Sequence, residues 1–352
     1  MFKSKIILGV AAIAAAPFFI TANQAAAQGS HPDKPFVTDE PWTHDPVVAY
    51  EDSTYYLYCT GVGIGTMTSK DLKQWTVNPR GVLSPDSIPA WTHDSVPGFK
   101  DHIWAPDVIK YRGKWYMAYS CSTFGKNTSA IGLLSNDKLS NADGWKDEGC
   151  IVASQGERDN WNAIDPNFII DEEGNPWMTW GSFWDGMQLI RLDSTMHVKA
   201  GEKPQVIARR YDTTCKSMPE NPTSKFAGRN SIEAPFIMKH GEWYYLFVSW
   251  DYCCQGMKSN YRVAVGRSKH VSGPYLDKNG KDMAKGGGVL LVEGDKKQYE
   301  ALGHCAAYTF PETAPVSGDW FFCHGYSVAK NGTPVLVVRQ LGWTADGWPE
   351  VK

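Results

Sequence analysis

HDPVVAYEDSTYYLYCTG, from His44 to Gly61, is a short polar motif, an apolar run, a turn and a second run rich in aromatics. The plan returns as WAPDVIKYRGKWYMAYSC from Trp104, IDPNFIIDEEGNPWMTWGS from Ile164 and EAPFIMKHGEWYYLFVSW from Glu233. A looser fifth copy, GHCAAYTFPETAPVSGDWFFCHG from Gly303, lacks the early proline. Short apolar and aromatic runs separated by turn formers are the pattern of paired strands. Pro46, Pro106, Pro166 and Pro235 recur at intervals of 60, 60 and 69 residues, and Cys305 follows after another 70. A repeat of that size made of short strands fits a four-stranded propeller blade. Five repeats fill residues 28–352 with no linker to spare, so the spacing predicts an all-β, single-domain, five-bladed β-propeller. A two-sheet sandwich would not account for the near-equal intervals.

The first 27 residues read as an export signal. Lys3 and Lys5 precede an apolar stretch from Ile6 to Ile20, and Ala25 and Ala27 are placed for cleavage before Gln28. That stretch is short for a membrane anchor, which needs roughly 20 residues. The expected location is therefore periplasmic or extracellular, with no membrane association. A net charge of −3 without a basic stripe argues against nucleic acid as a partner, and the chain is expected to act as a monomer. Its 15 Trp, 16 Tyr and 14 Phe suit a β-rich core and equally a cleft in which sugar rings lie on aromatic faces.

Eight cysteines (Cys59, Cys121, Cys150, Cys215, Cys253, Cys254, Cys305 and Cys323) lie in the exported part, where disulfides can form. There is no CxxC or HExxH to suggest zinc. Cys253 and Cys254 are expected to pack as small apolar groups rather than to bridge. Folding repeat five about Ala314 puts Cys305 opposite Cys323, so they read either as a disulfide or as two buried thiols.

In a propeller the first strand of each blade lines the channel, and equivalent positions converge there. Asp45 and Asp165 each precede the marker proline, Ala105 takes that place in repeat two, Glu233 stands one residue earlier in repeat four, and His304 comes in repeat five. A single Asp-Pro can simply start a strand. Acids on an innermost strand, however, are costly unless paired or used, and three in phase predict a site. Asp94, in a second Trp-Thr-His-Asp, is out of phase and reads as a loop residue. Two carboxyls, one protonated and one ionised, are what glycoside hydrolysis needs. A third nearby raises the acid's pKa by like-charge repulsion.

At these residues the chain resembles glycoside hydrolase family 43, and within it the arabinan endo-1,5-α-L-arabinosidases. The matching stretches are Thr43-His-Asp-Pro46, Ile103-Trp-Ala-Pro-Asp107, Ser122-Thr-Phe-Gly125, Ala163-Ile-Asp-Pro-Asn167, Gly181-Ser182, Ile232-Glu-Ala-Pro235, Asp251-Tyr-Cys-Cys254, Gly303-His304 and the Val338–Trp343 tail. The resemblance implies a cleft across one end of the channel and inverting, internal cleavage of α-1,5-arabinan. Asp45 would be the general base, Glu233 the general acid, and Asp165 the residue that orients the acid and raises its pKa. Trp104, Phe124, Asn167 and Ser182 would contact arabinan or arabino-oligosaccharides. His304 would face a calcium ion held largely through waters. Cys305 departs from the asparagine that often follows Gly-His in relatives. Exo-acting α-L-arabinofuranosidases and β-xylosidases share the acids, and a non-catalytic carbohydrate-binding propeller is the reading from another class.

Overall fold

A computed structural model describes residues 31–211 and 230–352; the expected export signal and Cys215 lie outside them. Five antiparallel sheets follow one another along the chain. Their inner strands are Val47–Glu51, His102–Tyr111, Asn167–Ile170, Ile232–His240 and Tyr299–Phe310, which define blades I to V. Each inner strand touches those on either side, so the ring closes and the five-bladed propeller stands.

Three further strands build each blade outwards. Blades I and II carry a fifth, Phe36–Thr38 on the outer edge of blade I and Gly61–Val62 against the inner strand of blade II. All four strands of blade V come from the C-terminal stretch. The ring is tied instead by Pro41–Thr43, which runs along the third strand of blade V, Thr333–Trp343. There Trp42 pairs with Val335, and the Leu336 amide donates to the Pro41 carbonyl at 3.0 Å.

The turns sit where the sequence marks them. Glu51 lies opposite Thr54, leaving Asp52 and Ser53 as a two-residue loop with φ of 48° and 56°. Positive φ at both positions matches the loop's twist to that of the strands. Tyr111 and Lys114 enclose Arg112 and Gly113 in the same way.

Neighbouring blades meet through apolar layers, and these absorb most of the aromatic content. Tyr58, Val108 and Tyr119 fill the layer between blades I and II, and Leu133, Trp180 and Ile190 that between II and III. Leu189 and Leu246 lie between III and IV, Phe247 and Phe321 between IV and V, and Tyr55 and Phe322 between V and I.

One cysteine expectation is corrected, and one that stood open is decided. Cys253 and Cys254 form a disulfide with each other. Cys305 and Cys323 are both unpaired and buried. In blade V Gly303 lies opposite His324 but Ala306 lies opposite Phe322, so a bulge between them absorbs one residue and removes Cys305 from the register. A slip of one position turns a side chain to the other face. Asp94 is exposed, but it stands in a short helix, Trp91–Ser95, and not in irregular loop.

Candidate active site

One residue in every repeat, just before the inner strand or within it, has left-handed φ: Asp45 at 55°, Ala105 at 43°, Asp165 at 57°, Ala234 at 55° and His304 at 49°. Such a conformation costs a non-glycine residue about 1–3 kcal/mol and persists only where its surroundings over-determine it. Here the determinant repeats around the ring. The amide of Ala105 donates to Thr60 Oγ1 at 2.9 Å, that of Asp165 to Ser120 Oγ at 3.0 Å, and that of His304 to Ser249 Oγ at 2.8 Å. Ala234 donates to the Gly181 carbonyl at 3.3 Å, and Asp45 to His324 Nδ1 at 3.1 Å. Each acceptor lies in the last part of the second strand of the preceding blade or directly follows it. The position in phase in blade IV is therefore Ala234, and Glu233 reaches the site from the residue before it.

Asp45 is held from several sides. Thr60 donates to its Oδ2 at 2.5 Å, His44 Nδ1 lies 2.8 Å from the same oxygen, and His304 Nδ1 lies 3.0 Å from Oδ1. Burial pushes its pKa up, but the His304 and His44 charges outweigh this and hold the carboxyl well below its usual range. Glu233 shows the opposite balance. Burial raises its pKa, the Ser182 hydroxyl at 2.7 Å and the Tyr261 phenol lower it, and Asp45 raises it again, leaving it above the ordinary value. Asp165 is also raised, first by burial and then, against the pull of His304, by Glu233 and Asp45. Buried carboxyls that feel one another keep a proton at a pH where a lone carboxyl would lose it. Asp45, with its pKa lowered, thus stands with a pair, Asp165 and Glu233, whose proton affinity is raised.

His304 balances the three acids. Burial lowers its pKa, yet Asp45, Asp165 and Glu233 bring it to about 9. His324 is fully buried and held well below the usual histidine value, chiefly by burial. Accepting from the Asp45 amide, its Nδ1 leaves the proton on Nε2, which has no hydrogen-bond partner among the described residues. Donor atoms of His44, Asp45 and His324 lie within 4.8 Å of one another and could hold a metal ion. Two imidazoles and one carboxylate do not fit direct calcium ligation, which draws on oxygens.

The four expected sugar contacts separate into two kinds. Trp104 is half-buried beside Ala105, its indole N–H donating to His102 Nδ1 at 2.8 Å. Phe124, in the loop after the second strand of blade II, is 69% exposed. Asn167 is 2% exposed, its amide donating to Asp107 at 3.2 Å and accepting from the Ile237 amide at 2.8 Å, so it ties blades together. Ser182 is committed to Glu233. The sequence reading missed Thr60, His44, His324 and Tyr261. Thr60, Ser120, Ser249 and His324 share a signal: all end the second aromatic run of their repeat. Tyr261 depends on Gly303, where an added Cβ would fall 1.9 Å from its ring.

The model of the glycosyl hydrolases family 43 matches residues 34–349. The chain belongs to family 43. A relative from Cellvibrio japonicus named extracellular exo-α-(1→5)-L-arabinofuranosidase is 42% identical over 314 residues, 88% of this chain and 86% of the relative. The extracellular endo-α-(1→5)-L-arabinanase 1 of Bacillus subtilis is 39% identical over 310 residues, 87% and 86% of the two chains. Among solved structures, an exo-1,5-α-L-arabinanase from a bovine ruminal metagenomic library superposes with a TM-score of 0.79 at 49% identity. The match covers 89% of this chain and 98% of that one. Family 43 relatives that share this chain's fold and most of its length therefore include both modes of cleavage.

Proposed function

We propose that this protein is an exported arabinanase that hydrolyses α-1,5-linked L-arabinan by inversion, across a cleft at the acid end of the channel. The observation that carries this reading is the opposed surroundings of Asp45 and Glu233: two histidines within 3.0 Å hold the first carboxyl's pKa low, and burial raises the second's. Asp45, ionised between His44 and His304, takes a proton from the attacking water. Glu233, kept protonated by burial and aimed by Ser182, delivers its proton to the leaving oxygen. Asp165 keeps the proton affinity of the pair high. Trp104 and Phe124 offer rings on which the furanose units lie. Export is supported by the pattern of residues 1–27 and by the word extracellular in the names of both relatives. Calcium enters this reading only as an ion held through waters in front of His304, and no catalytic step runs through it.

Internal cleavage is the mode the sequence motifs support. Release of short products from a chain end is the second reading, favoured by the 42% and 49% identities to exo-acting relatives. Product analysis on debranched arabinan separates them: a ladder of oligosaccharides in the first minutes supports endo action, and one small product from the outset refutes it. The anomeric configuration of the first product, followed by NMR, tests inversion.

A further inference from the structure

A vicinal disulfide in a molecule whose other cysteines, within the described residues, are unpaired calls for a reason. Cysteine is among the most buried residue types, yet Cys254 is exposed and Cys253 half-buried. Beside them Tyr252 is 39% exposed, with its ring 5.7 Å from that of Phe183. These groups are held rigidly. The Tyr252 amide donates to Asn260 Oδ1 at 2.9 Å, the Cys254 amide to the Tyr326 hydroxyl at 2.6 Å, and the Asp251 carboxylate takes Arg262 Nε at 2.8 Å. Asp251 and Cys254 have φ of 70° and 66°, so the turn is strained as well as pinned. Strain and apolar exposure in one rigid turn do nothing for the core.

The place of the turn supplies the reason. Phe183 directly follows Ser182, which holds Glu233. At the other end, Cys254 Sγ lies 3.8 Å from His44 Nε2, and His44 Nδ1 holds Asp45. Phe183, Tyr252 and the disulfide thus form a ledge running from the general acid to the general base, on blades III and IV, while Trp104 and Phe124 stand on blade II.

Resting on the arabinanase reading, we propose that this ledge is the second wall of the substrate site and that the Cys253–Cys254 disulfide is its sugar-contacting surface. It would take the C–H face of an arabinofuranose ring lying between Asp45 and Glu233. Two sulfurs bonded to each other offer a soft, polarisable surface with no S–H donor. Such a surface presses on the apolar side of a furanose without competing for its hydroxyls, which stay available to polar groups elsewhere.

The test compares the full chain with Cys253→Ser/Cys254→Ser and with Tyr252→Ala on debranched arabinan, reading kcat, KM, pH profile and melting temperature. Wild-type hydrolysis of arabinan is read first, and its absence refutes the arabinanase reading rather than the ledge. Given that activity, both variants are expected to raise KM on the order of tenfold, as for loss of an apolar contact in a pocket. Their kcat should stay within about threefold, with the acid limb of the pH profile in place. Two results overturn the proposal. One is an unchanged KM in variants that melt with the wild type. The other is a fall in kcat with a displaced acid limb at constant KM, which would make the turn a prop for His44. If the double serine variant does not fold, Tyr252→Ala decides alone: an unchanged KM there also overturns it.

Discussion

Replacing His304 with glutamine should move the acid limb of kcat/KM towards neutrality. Glutamine keeps a donor for Asp45 Oδ1 and removes only the charge. In the native protein that charge stands 3.0 Å from the carboxylate, both side chains being largely buried at 15% and 10% exposure. Coulomb's law at an effective dielectric of 20 gives about 5 kcal/mol for unit charges at that distance, which is a ceiling. His44 remains 2.8 Å from the other oxygen and keeps part of the effect, and a neighbouring cation ordinarily moves a carboxylate by about 1–3 units. The sign follows from the base's task. With Asp45 as the proposed general base, activity requires its ionised form, so it falls as pH drops through the Asp45 pKa, and raising that pKa moves the fall upwards. The expected shift is about 1–3 pH units on arabinan, with fold checked by circular dichroism. An acid limb within about 0.3 units of wild type, well short of that range, would refute the view that His304 sets the ionisation of Asp45.

Glu233→Gln should lower turnover on arabinan by about 10² to 10⁴, the range for losing general acid catalysis, and an aryl arabinoside with a good leaving group should recover much of it. The His304 pKa, raised to about 9, gives stability that is fully present below its unfolded value of about 6.5 and is lost as pH rises through 9. Urea midpoints should therefore fall across that window in the wild type and less in His304→Gln. Exhaustive chelation should lower the melting temperature if the folded state alone binds a cation, and an unchanged melting curve with no metal by elemental analysis would refute the bound cation.

The blades were legible because their signal is repeated. Five copies of one pattern at near-equal spacing leave few other folds, and the head of each strand could be found by phase alone. What the residue types did not show was the bulge, which recurs in phase between Trp104 and Asp107 in blade II, Glu233 and Phe236 in blade IV, and Gly303 and Ala306 in blade V. One extra residue near Cys305 in the first strand of blade V breaks the register with the second, and no residue type in Gly303–Ala306 announces it. Nor did spacing indicate that Cys253 and Cys254 would bond to each other, since that depends on the backbone of the turn. Among site residues, the acids stood out because a carboxylate on an inner strand is conspicuous. Ser182 and Asn167, expected as sugar contacts, also have protein partners, Glu233 for the first and Asp107 and the Ile237 amide for the second. A hydroxyl or amide beside an acid carries no mark in the sequence of the protein group it meets, which depends on how the blades come together.

The five left-handed residues suggest how one ring can hold three acids in different states. The backbone device is the same in every blade, so the side chain at each position can vary while its direction stays fixed. At Ala105 and Ala234 the ring carries methyl groups, at Asp45 and Asp165 carboxyls, and at His304 an imidazole. Protonation is then set by what stands next to each group. Asp45 has two histidines against it, whereas Glu233, arriving one residue before the repeated position, has the Ser182 hydroxyl on it and the Tyr261 phenol beside it, with His304 acting after them. Exchanging the residue types of Asp45 and Glu233 would therefore not exchange their roles, because the environment and not the side chain assigns them. In Asp45→Glu, the longer carboxyl would still be ionised between His44 and His304, but displaced along the direction of attack. Turnover should fall while the acid limb stays within about one unit of wild type, a scatter typical of carboxyls in proteins. A limb raised to the range expected for Glu233 would show instead that residue identity sets the pKa.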